Sequence, residues 1–384
     1  MGYDAAMTAL ASSPPDPSPG ANLPILGKLS RFGRIAMLVT LALSAAAILL
    51  DVVVHADRTL VFLVSAAAIL GLAWVVGLAT ERLGSLTGPQ IGGVLNATFG
   101  NIAELIIAFF ALQAGLIEVV KASLTGSIIG NLLFVLGASV LVGGLRHGTQ
   151  TFSQRVAASN ASLLVLAVIG LFVPAVFAFT TRDPGQGSLT EESVLVSVVL
   201  IVGYVLSLVY ALTNPAATLG GHGEPAGHAG PAWTTTVAIV VLLGAAALLA
   251  VLSEILVSSI ESFIDAFGLS AFFVGVVLVP TIGNLAEHLV AVQLAAKDKM
   301  EFAMAVAYGS SLQVALFVAP VLVLIGAALG QPMDLVFTPL EVAAVAAAVG
   351  ISALIALDGE SNWLEGALLV LVYLILAASF FEVV

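Results

Sequence analysis

Two glutamates occupy the last position of a seven-residue pattern that the chain carries twice. Both copies have the form T-x-G-N-x-A-E, and they end at Glu104 and Glu287, which lie 183 residues apart (287 minus 104). The same offset maps Gly126-Ser127 onto Gly309-Ser310, and Leu133-Phe134-Val135 onto Leu316-Phe317-Val318. Because rare Asn and Glu residues recur at one offset in two separate segments, the pattern indicates an internal repeat.

Each of these glutamates lies where the sequence makes charge expensive. Glu104 falls well inside the apolar stretch 91–114, and Glu287 falls well inside 270–296. An ionised carboxylate near the centre of a bilayer costs several kcal/mol when it has no partner. The sequence places no Lys or Arg at comparable depth, so each acid is either protonated or bound to a cation. A site that alternates between these states exchanges cations for protons, and two carboxylates match the charge of a divalent ion.

The residues around the two acids supply further oxygen ligands. In each motif the Thr, Asn and Glu are spaced i, i+3, i+6, which places them on one helix face. Glycine weakens the helix at that level, and proline removes a backbone donor, so we expect broken helices with free carbonyls. The expected helix breaks are at Gly100, Gly283 and Pro280. The predicted metal ligands are Glu104, Glu287, Asn101, Asn284, Thr98, Thr281, Ser127, Ser310, Gln313 and Asn131.

So many neutral and charged oxygens suit a hard cation. Calcium accepts six to eight oxygen ligands in flexible geometry, whereas magnesium retains its waters more tightly. The alternative for the hydroxyl and amide residues is that they only hold helices together, as such residues often do in membranes. That alternative is weaker for the two glutamates, because a buried acid is a costly way to join helices.

Other titratable residues give weaker signals. Glu254 lies inside the seventh apolar stretch and could relay protons or assist gating, and Glu81 could do so near the end of the second. Glu341 is expected near the outer face, where a solvated position is favoured. His288 adjoins Glu287 but points to another face, which favours a packing role.

The composition defines the setting of these residues. The chain has 384 residues, of which 60% are hydrophobic and 9% are charged, and it has no cysteine. A soluble fold has too little interior to bury so much apolar surface, so a soluble enzyme and a nucleic-acid-binding protein are excluded. The absence of cysteine excludes disulfides and thiolate metal sites.

Eleven continuous apolar stretches are each long enough to cross a bilayer, and they predict an all-α polytopic membrane protein. They are 34–54, 59–80, 91–114, 122–145, 156–180, 192–212, 234–258, 270–296, 302–328, 336–357 and 362–382.

The stretches divide the chain into two halves of opposite orientation. The third stretch and the eighth, which carry the two motifs, cross in opposite directions, so the five-helix repeats are inverted, as in many transporters. With the N-terminus inside, eight Lys and Arg residues lie on the inner side and three on the outer side, which favours a cytoplasmic N-terminus. The predicted parts are a disordered tail (1–27), an extra N-terminal helix (28–57), the first repeat (58–212), a cytoplasmic linker (213–233) and the second repeat (234–384). The linker contains His residues that could sense metal or pH, although a plain solvated linker is favoured.

The motifs also resemble those of a known family. Residues 93–108 (GVLNATFGNIAELIIA) resemble the first signature of the calcium/proton exchanger family, within the calcium/cation antiporter superfamily. The second signature is similar to 283–288 (GNLAEH), 296–300 (AKDKM) and 309–318 (GSSLQVALFV). The resemblance implies an eleven-helix exchanger in which Glu104 and Glu287 are ligands shared by cation and proton. Some members carry a strongly acidic segment between the halves, whereas the linker here holds one acid, Glu224.

These observations predict a secondary antiporter that exports Ca²⁺ from the cytoplasm in exchange for protons by alternating access. Exchange driven by Na⁺ and a passive cation channel are the alternatives, and other divalent cations stay open as substrates. The chain is not expected to be an enzyme, to need a cofactor or to bind nucleic acid, and no phosphate-binding loop for ATP is present. The expected partners are Ca²⁺, H⁺ and the lipid bilayer, with homo-oligomerisation left open. We expect a multi-pass protein of a prokaryotic plasma membrane.

Overall fold

The structure, a computed structural model, describes residues 26–181, 186–214 and 233–382. The predicted tail 1–27 and linker 213–233 lie almost entirely outside the described residues. A short 3₁₀ turn, Leu26–Lys28, precedes the helices. The helices of the first half are α1 (Arg31–Val54), α2 (Arg58–Thr87), α3 (Pro89–Phe99), α4 (Ile102–Gln113), α5 (Ile117–His147), α6 (Gln154–Thr180) and α7 (Gln186–Thr213). Those of the second half are α8 (Thr235–Phe267), α9 (Ala271–Ala295), α10 (Met300–Leu329), α11 (Pro339–Ile355) and α12 (Trp363–Phe381).

The predicted all-α polytopic membrane fold is confirmed. In the described part of the chain, nine helices are long and apolar enough to cross a membrane, and α4 and α11 are shorter apolar helices. The third predicted crossing consists of the half-helices α3 and α4. One short element departs from the all-α prediction, because Gln150–Thr151 (β1) pairs antiparallel with Glu360–Ser361 (β2) between helices.

Side-chain caps fix where several helices begin. Ser30 accepts a hydrogen bond from Gly33 N at the start of α1, and Asp57 accepts from Thr59 N and Leu60 N at the start of α2. Thr338 and Asn362 form capping boxes with acids three residues later, Glu341 and Glu365, at the starts of α11 and α12. These caps satisfy backbone donors of the first helical turn that have no partner within the helix.

Two helices that carry predicted ligands change their winding just after those ligands. α5 contains a π-helical segment at Gly130–Val135, and α10 contains one at Val314–Val318. The repeat offset maps the first segment onto the second within one residue. A π segment leaves backbone groups out of the regular pattern and often marks a functional site.

The irregularity of the motif helices differs between the repeats. In the first repeat the helix ends at Phe99 and restarts at Ile102, and Asn101 leaves the helical region with φ −100° and ψ 27°. In the second repeat the predicted break at Gly283 is wrong, since α9 runs unbroken through it, and its π segment lies earlier, at Val274–Leu278. Pro280 follows that segment, in the first turn of regular helix, where its missing N–H disturbs little.

An extended segment closes one end of the bundle. Residues 330–338, which we call the strap, link α10 to α11 and bury every second side chain, namely Met333, Leu335 and Phe337 (0%, 0% and 2% exposed). This period of two is that of extended backbone, which places alternate side chains on one face. Because the strap follows the last residue of α10, we call this the strap end of the bundle and the opposite end the cavity end.

Candidate functional site

The half-helix α4 begins with an acid that is sealed inside the bundle. Glu104 lies in the first turn of α4 and is 7% exposed. Its Oε1 accepts a hydrogen bond from Ser127 Oγ (2.5 Å) on α5 and another from Asn284 Nδ2 on α9. Its Oε2 is buried and has no hydrogen-bond partner among the described residues. One oxygen is therefore held by both repeats, and the other is left without a donor.

A chain of hydrogen bonds joins the amide and hydroxyl residues of the two repeats. Asn101 Nδ2 donates to Gln313 Oε1 (2.7 Å), and Ser310 Oγ donates to Asn101 Oδ1 (2.9 Å). Asn131 Nδ2 donates to Ser310 Oγ (3.0 Å). Asn101, Asn131, Ser310 and Gln313 are all buried. These contacts explain why Asn101 does not cap its own helix, because its side chain is turned to α10 instead.

Sequence reasoning missed one member of this chain, His288. Its Nε2 lies 3.1 Å from Asn131 Oδ1. An amide oxygen only accepts hydrogen bonds, so Nε2 carries the proton in this contact. The packing role predicted for His288 therefore differs from its observed position at the end of the polar network. Its place beside Glu287 was visible in the sequence, but the approach of Asn131 from the other repeat was not.

The second acid stands at the wall of a cavity. Glu287 lies on α9 and is partly exposed. A cavity of about 1000 Å³ reaches Glu287, Gly100, Ser310 and Gln313, and extends to Lys297 and Lys299 at the cavity end. Glu287 is thus reachable from that end, whereas Glu104 does not line the cavity.

The two motif glycines make room for the acid of the opposite repeat. A Cβ added at Gly283 would lie 2.8 Å from Glu104 Cγ, and one added at Gly100 would lie 3.3 Å from Glu287 Oε1. Distances below 3.0 Å are not tolerated without movement, and those up to 3.4 Å are tight. A side chain at Gly283 would therefore displace Glu104, whereas the nearest atom to one at Gly100 would be Asn96 O of its own helix, at 2.7 Å.

The threonines of the motifs are oriented differently from the other predicted ligands. Thr98 Oγ1 donates to Val94 O (2.8 Å) and Thr281 Oγ1 donates to Val277 O (2.6 Å), in each case within the same helix. Thr98 is exposed and Thr281 is partly buried. The structure therefore brings together Asn101, Glu104, Ser127, Asn131, Asn284, Glu287, Ser310 and Gln313, and it leaves both threonine hydroxyls bonded to backbone.

The other acids singled out from the sequence lie apart from this cluster. Glu81 is one of the residues that line the cavity. Glu254 is on an exposed face of α8, so the suggested relay role has no contact to support it. Glu341 is buried rather than solvated, because its carboxylate accepts bonds from Thr125 Oγ1 (3.0 Å) and from the backbone N–H and hydroxyl of Thr338 (2.9 Å each).

No base neutralises the two central acids in the part of the chain that the structure describes. The ion pairs found there are Arg58–Asp51 and Lys121–Asp334, and neither involves Glu104 or Glu287. The described residues also contain no group of three or more His, Asp or Glu side chains that could hold a metal ion. A cation at this site would thus be bound by two carboxylates and the neutral oxygens around them.

Two inverted repeats that meet at an interior acidic site, with a cavity leading to it from one side, define an ion-transporter class of membrane protein. The protein family described as "sodium/calcium exchanger protein" matches residues 58–213 and 237–381 of this chain. The chain belongs to this family. The resemblance to calcium/proton exchangers is confirmed by its relatives.

The Ca²⁺/H⁺ antiporter of Synechocystis sp. is 47% identical over 343 residues, which cover 84% of this chain and 91% of that protein. The Ca²⁺/H⁺ antiporter of Aphanothece halophytica is 45% identical over 345 residues, covering 85% of this chain and 91% of that protein. The solved structure of native YfkE has a TM-score of 0.78 and 38% identity, and the match covers 90% of this chain and 99% of that one.

Proposed function

We propose that this protein is a secondary antiporter that exports Ca²⁺ from the cytoplasm in exchange for protons. The observation that carries the proposal is that each acid lies against the motif glycine of the opposite repeat, Glu104 at Gly283 and Glu287 at Gly100, without a basic partner among the described residues. The names of the similar antiporters support Ca²⁺ and H⁺ as the exchanged ions.

The charge of the site explains why exchange would be coupled. Two ionised carboxylates in a low-dielectric interior are stable only when positive charge accompanies them. One Ca²⁺ or up to two protons can supply that charge, and the two cargoes occupy the same oxygens. A ligand shifts the balance between conformations only by its different affinity for them. We infer that the site switches the membrane side from which it is accessible when either cargo has neutralised its charge.

The proposed ligands follow from the contacts. Glu104 Oε2 and the Glu287 carboxylate would bind Ca²⁺ directly, because the first has no donor and the second faces the cavity. The amide and hydroxyl oxygens of Asn101, Asn284, Ser127 and Ser310 would complete the shell or orient the acids, together with Gln313 and Asn131. Thr98 and Thr281 would contribute after their hydroxyls leave their present carbonyl partners. A resident cofactor is not part of this mechanism, in which Ca²⁺ is the cargo.

The direction of transport rests on which side the cavity faces. The cavity end carries Lys297 and Lys299, and the excess of Lys and Arg on that side favours the cytoplasm. In this orientation the N-terminus is cytoplasmic, Ca²⁺ enters through the cavity to Glu287, and the strap closes the outer side. The bacterial relatives support a prokaryotic plasma membrane.

Transport into proteoliposomes tests the proposal. With an acidic lumen, we expect Ca²⁺ uptake that collapses when the proton gradient is dissipated and that is matched by proton release. Glu104→Gln and Glu287→Gln should each abolish it, while Glu118→Gln, at an exposed position of α5, should transport normally. Uptake that persists in either central variant would overturn the role of the shared acids. Uptake driven by Na⁺ alone would favour sodium-coupled exchange, and flux without opposing proton flux would favour a channel.

A further inference from the structure

The short helix α11 is bonded to both of the helices that carry the ligand serines. Near the start of α11, Thr125 Oγ1 of α5 donates to Glu341 Oε1 (3.0 Å). Near its end, Tyr308 OH of α10 donates to Ser352 O (2.7 Å). Their exposed fractions are 1% for Thr125, 2% for Glu341 and 0% for both Tyr308 and Ser352. We call these two contacts, together with the helix that joins them, the α11 brace.

The two contacts start from equivalent positions of the repeats. The offset of 183 residues maps Thr125 onto Tyr308 (308 minus 125), just as it maps Gly126-Ser127 onto Gly309-Ser310. Each contact residue therefore precedes a ligand serine by two positions. The equivalence is hidden in the sequence, because a threonine and a tyrosine differ and their partners belong to a third helix.

The α11 brace lies behind the cation site. Two residues along an α-helix correspond to a rotation of about 200° and a rise of about 3 Å. Thr125 therefore points away from the side on which Ser127 donates to Glu104, at almost the same level of α5. Tyr308 has the same relation to Ser310 on α10. The brace thus supports both ligand helices from the side opposite to their ligands.

Both ends of the brace are fixed. The Glu341 carboxylate is held by its capping box, in which Oε2 accepts from the N–H and the hydroxyl of Thr338 (2.9 Å each). Its Oε1 is left for Thr125, whose hydroxyl also lies 3.1 Å from Ala122 O of its own helix. At the other end the acceptor is the backbone oxygen of Ser352, which cannot rotate away. Regular helix joins the two ends over about 16 Å, so α11 can act as a spacer.

We propose that the α11 brace sets the spacing of α5 and α10 at the cation site and thereby the selectivity of the site for cation size. The inference rests on the proposed binding of Ca²⁺ at that site. Selectivity between divalent cations depends on the size of the site and on the number and flexibility of its ligands. Ligand helices held at a fixed spacing favour one ionic radius, whereas helices that can separate accept larger ions. Thr125 and Tyr308 are then positioning residues, because neither touches the cation.

Binding of two divalent cations to the purified full chain tests the brace. Titration calorimetry gives the apparent Kd for Ca²⁺ and for the larger Ba²⁺, and we expect the wild type to prefer Ca²⁺. Tyr308→Phe and Thr125→Val each remove one hydroxyl, and each should reduce this preference by about fivefold, the effect of one hydrogen bond. The double variant should reduce it further. Thr125→Ser keeps the hydroxyl and should retain the preference of the wild type.

A matched control separates the loss of the brace from the loss of a buried hydroxyl. Thr40 is 4% exposed and donates to Ala36 O within α1 (2.9 Å), so Thr40→Val should keep the preference for Ca²⁺. Thermal unfolding of each variant measures stability separately. A merely structural contact would lower the melting temperature and leave the ratio of the two Kd values unchanged.

An unchanged ratio in the folded single or double variants would therefore overturn the proposal. A wild type that binds Ca²⁺ and Ba²⁺ equally well would also overturn it, because there would be no selectivity for the brace to set. Absence of Ca²⁺ binding would overturn both this proposal and the proposed function. Selective Ca²⁺ binding without proton exchange would contradict the proposed function alone.

Discussion

Gly126 and Gly309 occupy equivalent positions in the two repeats, but their surroundings are opposite. A Cβ added at Gly126 would lie 2.0 Å from Val276 O, the backbone of the π segment in α9, whereas one added at Gly309 would meet no atom within 4 Å. Gly309 instead lines the cavity. The structure is therefore closed where α5 crosses α9 near the strap end and open at the related position of α10.

This asymmetry predicts different effects for two matched substitutions. Gly126→Ala should destabilise the present conformation by about 1–3 kcal/mol, because overpacking against backbone forces helices apart. Gly309→Ala has room here and should raise stability by about 0.5–1 kcal/mol through its better helix propensity. Thermal unfolding in detergent would measure both effects. Equal shifts for the two variants would show that the sites are not distinct.

The substitutions at Gly126 and Gly309 also distinguish an effect on stability from an effect on the rate of transport. If the two repeats exchange their environments during transport, the Gly309 position must become as tight as Gly126 is now. Gly309→Ala should then slow Ca²⁺/H⁺ exchange in proteoliposomes while the protein becomes more stable. An unchanged exchange rate would argue against close packing at Gly309 in the other conformation.

The two central acids should differ in chemical reactivity. Glu287 lines the cavity and Glu104 is 7% exposed and outside its lining. A water-soluble carbodiimide should therefore modify Glu287 faster than Glu104, as measured by peptide mass spectrometry. Ca²⁺ should protect Glu287, since the ion would occupy its oxygens, and the exposed Glu118 should be modified equally with and without Ca²⁺. Faster modification of Glu104 would contradict the sealed position of that residue.

The strap should be held closed by one lysine. Lys121 on α5 forms an ion pair with Asp334, donates to Val336 O (2.9 Å) and lies 6.0 Å from the centroid of the Phe337 ring. Because the ion pair is partly exposed, we expect it to stabilise the closed strap by about 1 kcal/mol. This energy corresponds to a change of about fivefold in the equilibrium between the closed and the open strap. Lys121→Met should increase labelling of Met333→Cys, a fully buried strap position, by a thiol reagent.

Two controls identify the ion pair as the cause. Arg58→Met removes the other ion pair of the described residues, Arg58–Asp51 (2.5 Å), which does not involve the strap, and should leave labelling unchanged. The double variant Lys121→Asp/Asp334→Lys restores opposite charges and should return labelling toward the original rate. Fast labelling in the double variant would indicate damage to the fold rather than loss of the pair.

Calcium binding should depend on pH because protons compete for the same two carboxylates. As pH falls, the protonated population grows, so the apparent Kd for Ca²⁺ should rise. By linkage, the rise is about tenfold per pH unit when one proton is displaced and about 100-fold when two are displaced. Titration calorimetry in buffers of different ionisation enthalpy would count the released protons. An apparent Kd for Ca²⁺ that does not change as the pH is lowered would contradict competition between Ca²⁺ and protons for the two carboxylates.

The sequence was sufficient for the features that depend on local composition and repetition. Long apolar stretches predict membrane helices, because an unpaired backbone cannot remain in lipid. The repeated motif identified Glu104 and Glu287 as the acids for which the membrane demands a compensating charge. The break at Gly100-Asn101 was also within reach, since the sequence weakens the helix there.

The equivalent inference failed at Gly283, where the same residue type serves a contact instead of a break. The role of this glycine is to admit the Glu104 side chain from the other repeat, and the helix continues through it. His288 and Glu341 were misplaced for a related reason, since their partners Asn131 and Thr125 are far away in the chain. Such contacts depend on how the helices cross, which no local pattern contains.

The sequence by itself determined that two equivalent acids must lie in the membrane interior and need a cation or a proton. Only the tertiary structure decided that they are not equivalent in this conformation, with Glu287 at the cavity wall and Glu104 sealed beneath Ser127 and Asn284. The physical reason is that the repeat makes the two halves alike in sequence but does not make them pack alike. A site open at one end requires α5 and α9 to close at the other, and this breaks the symmetry that the sequence implies.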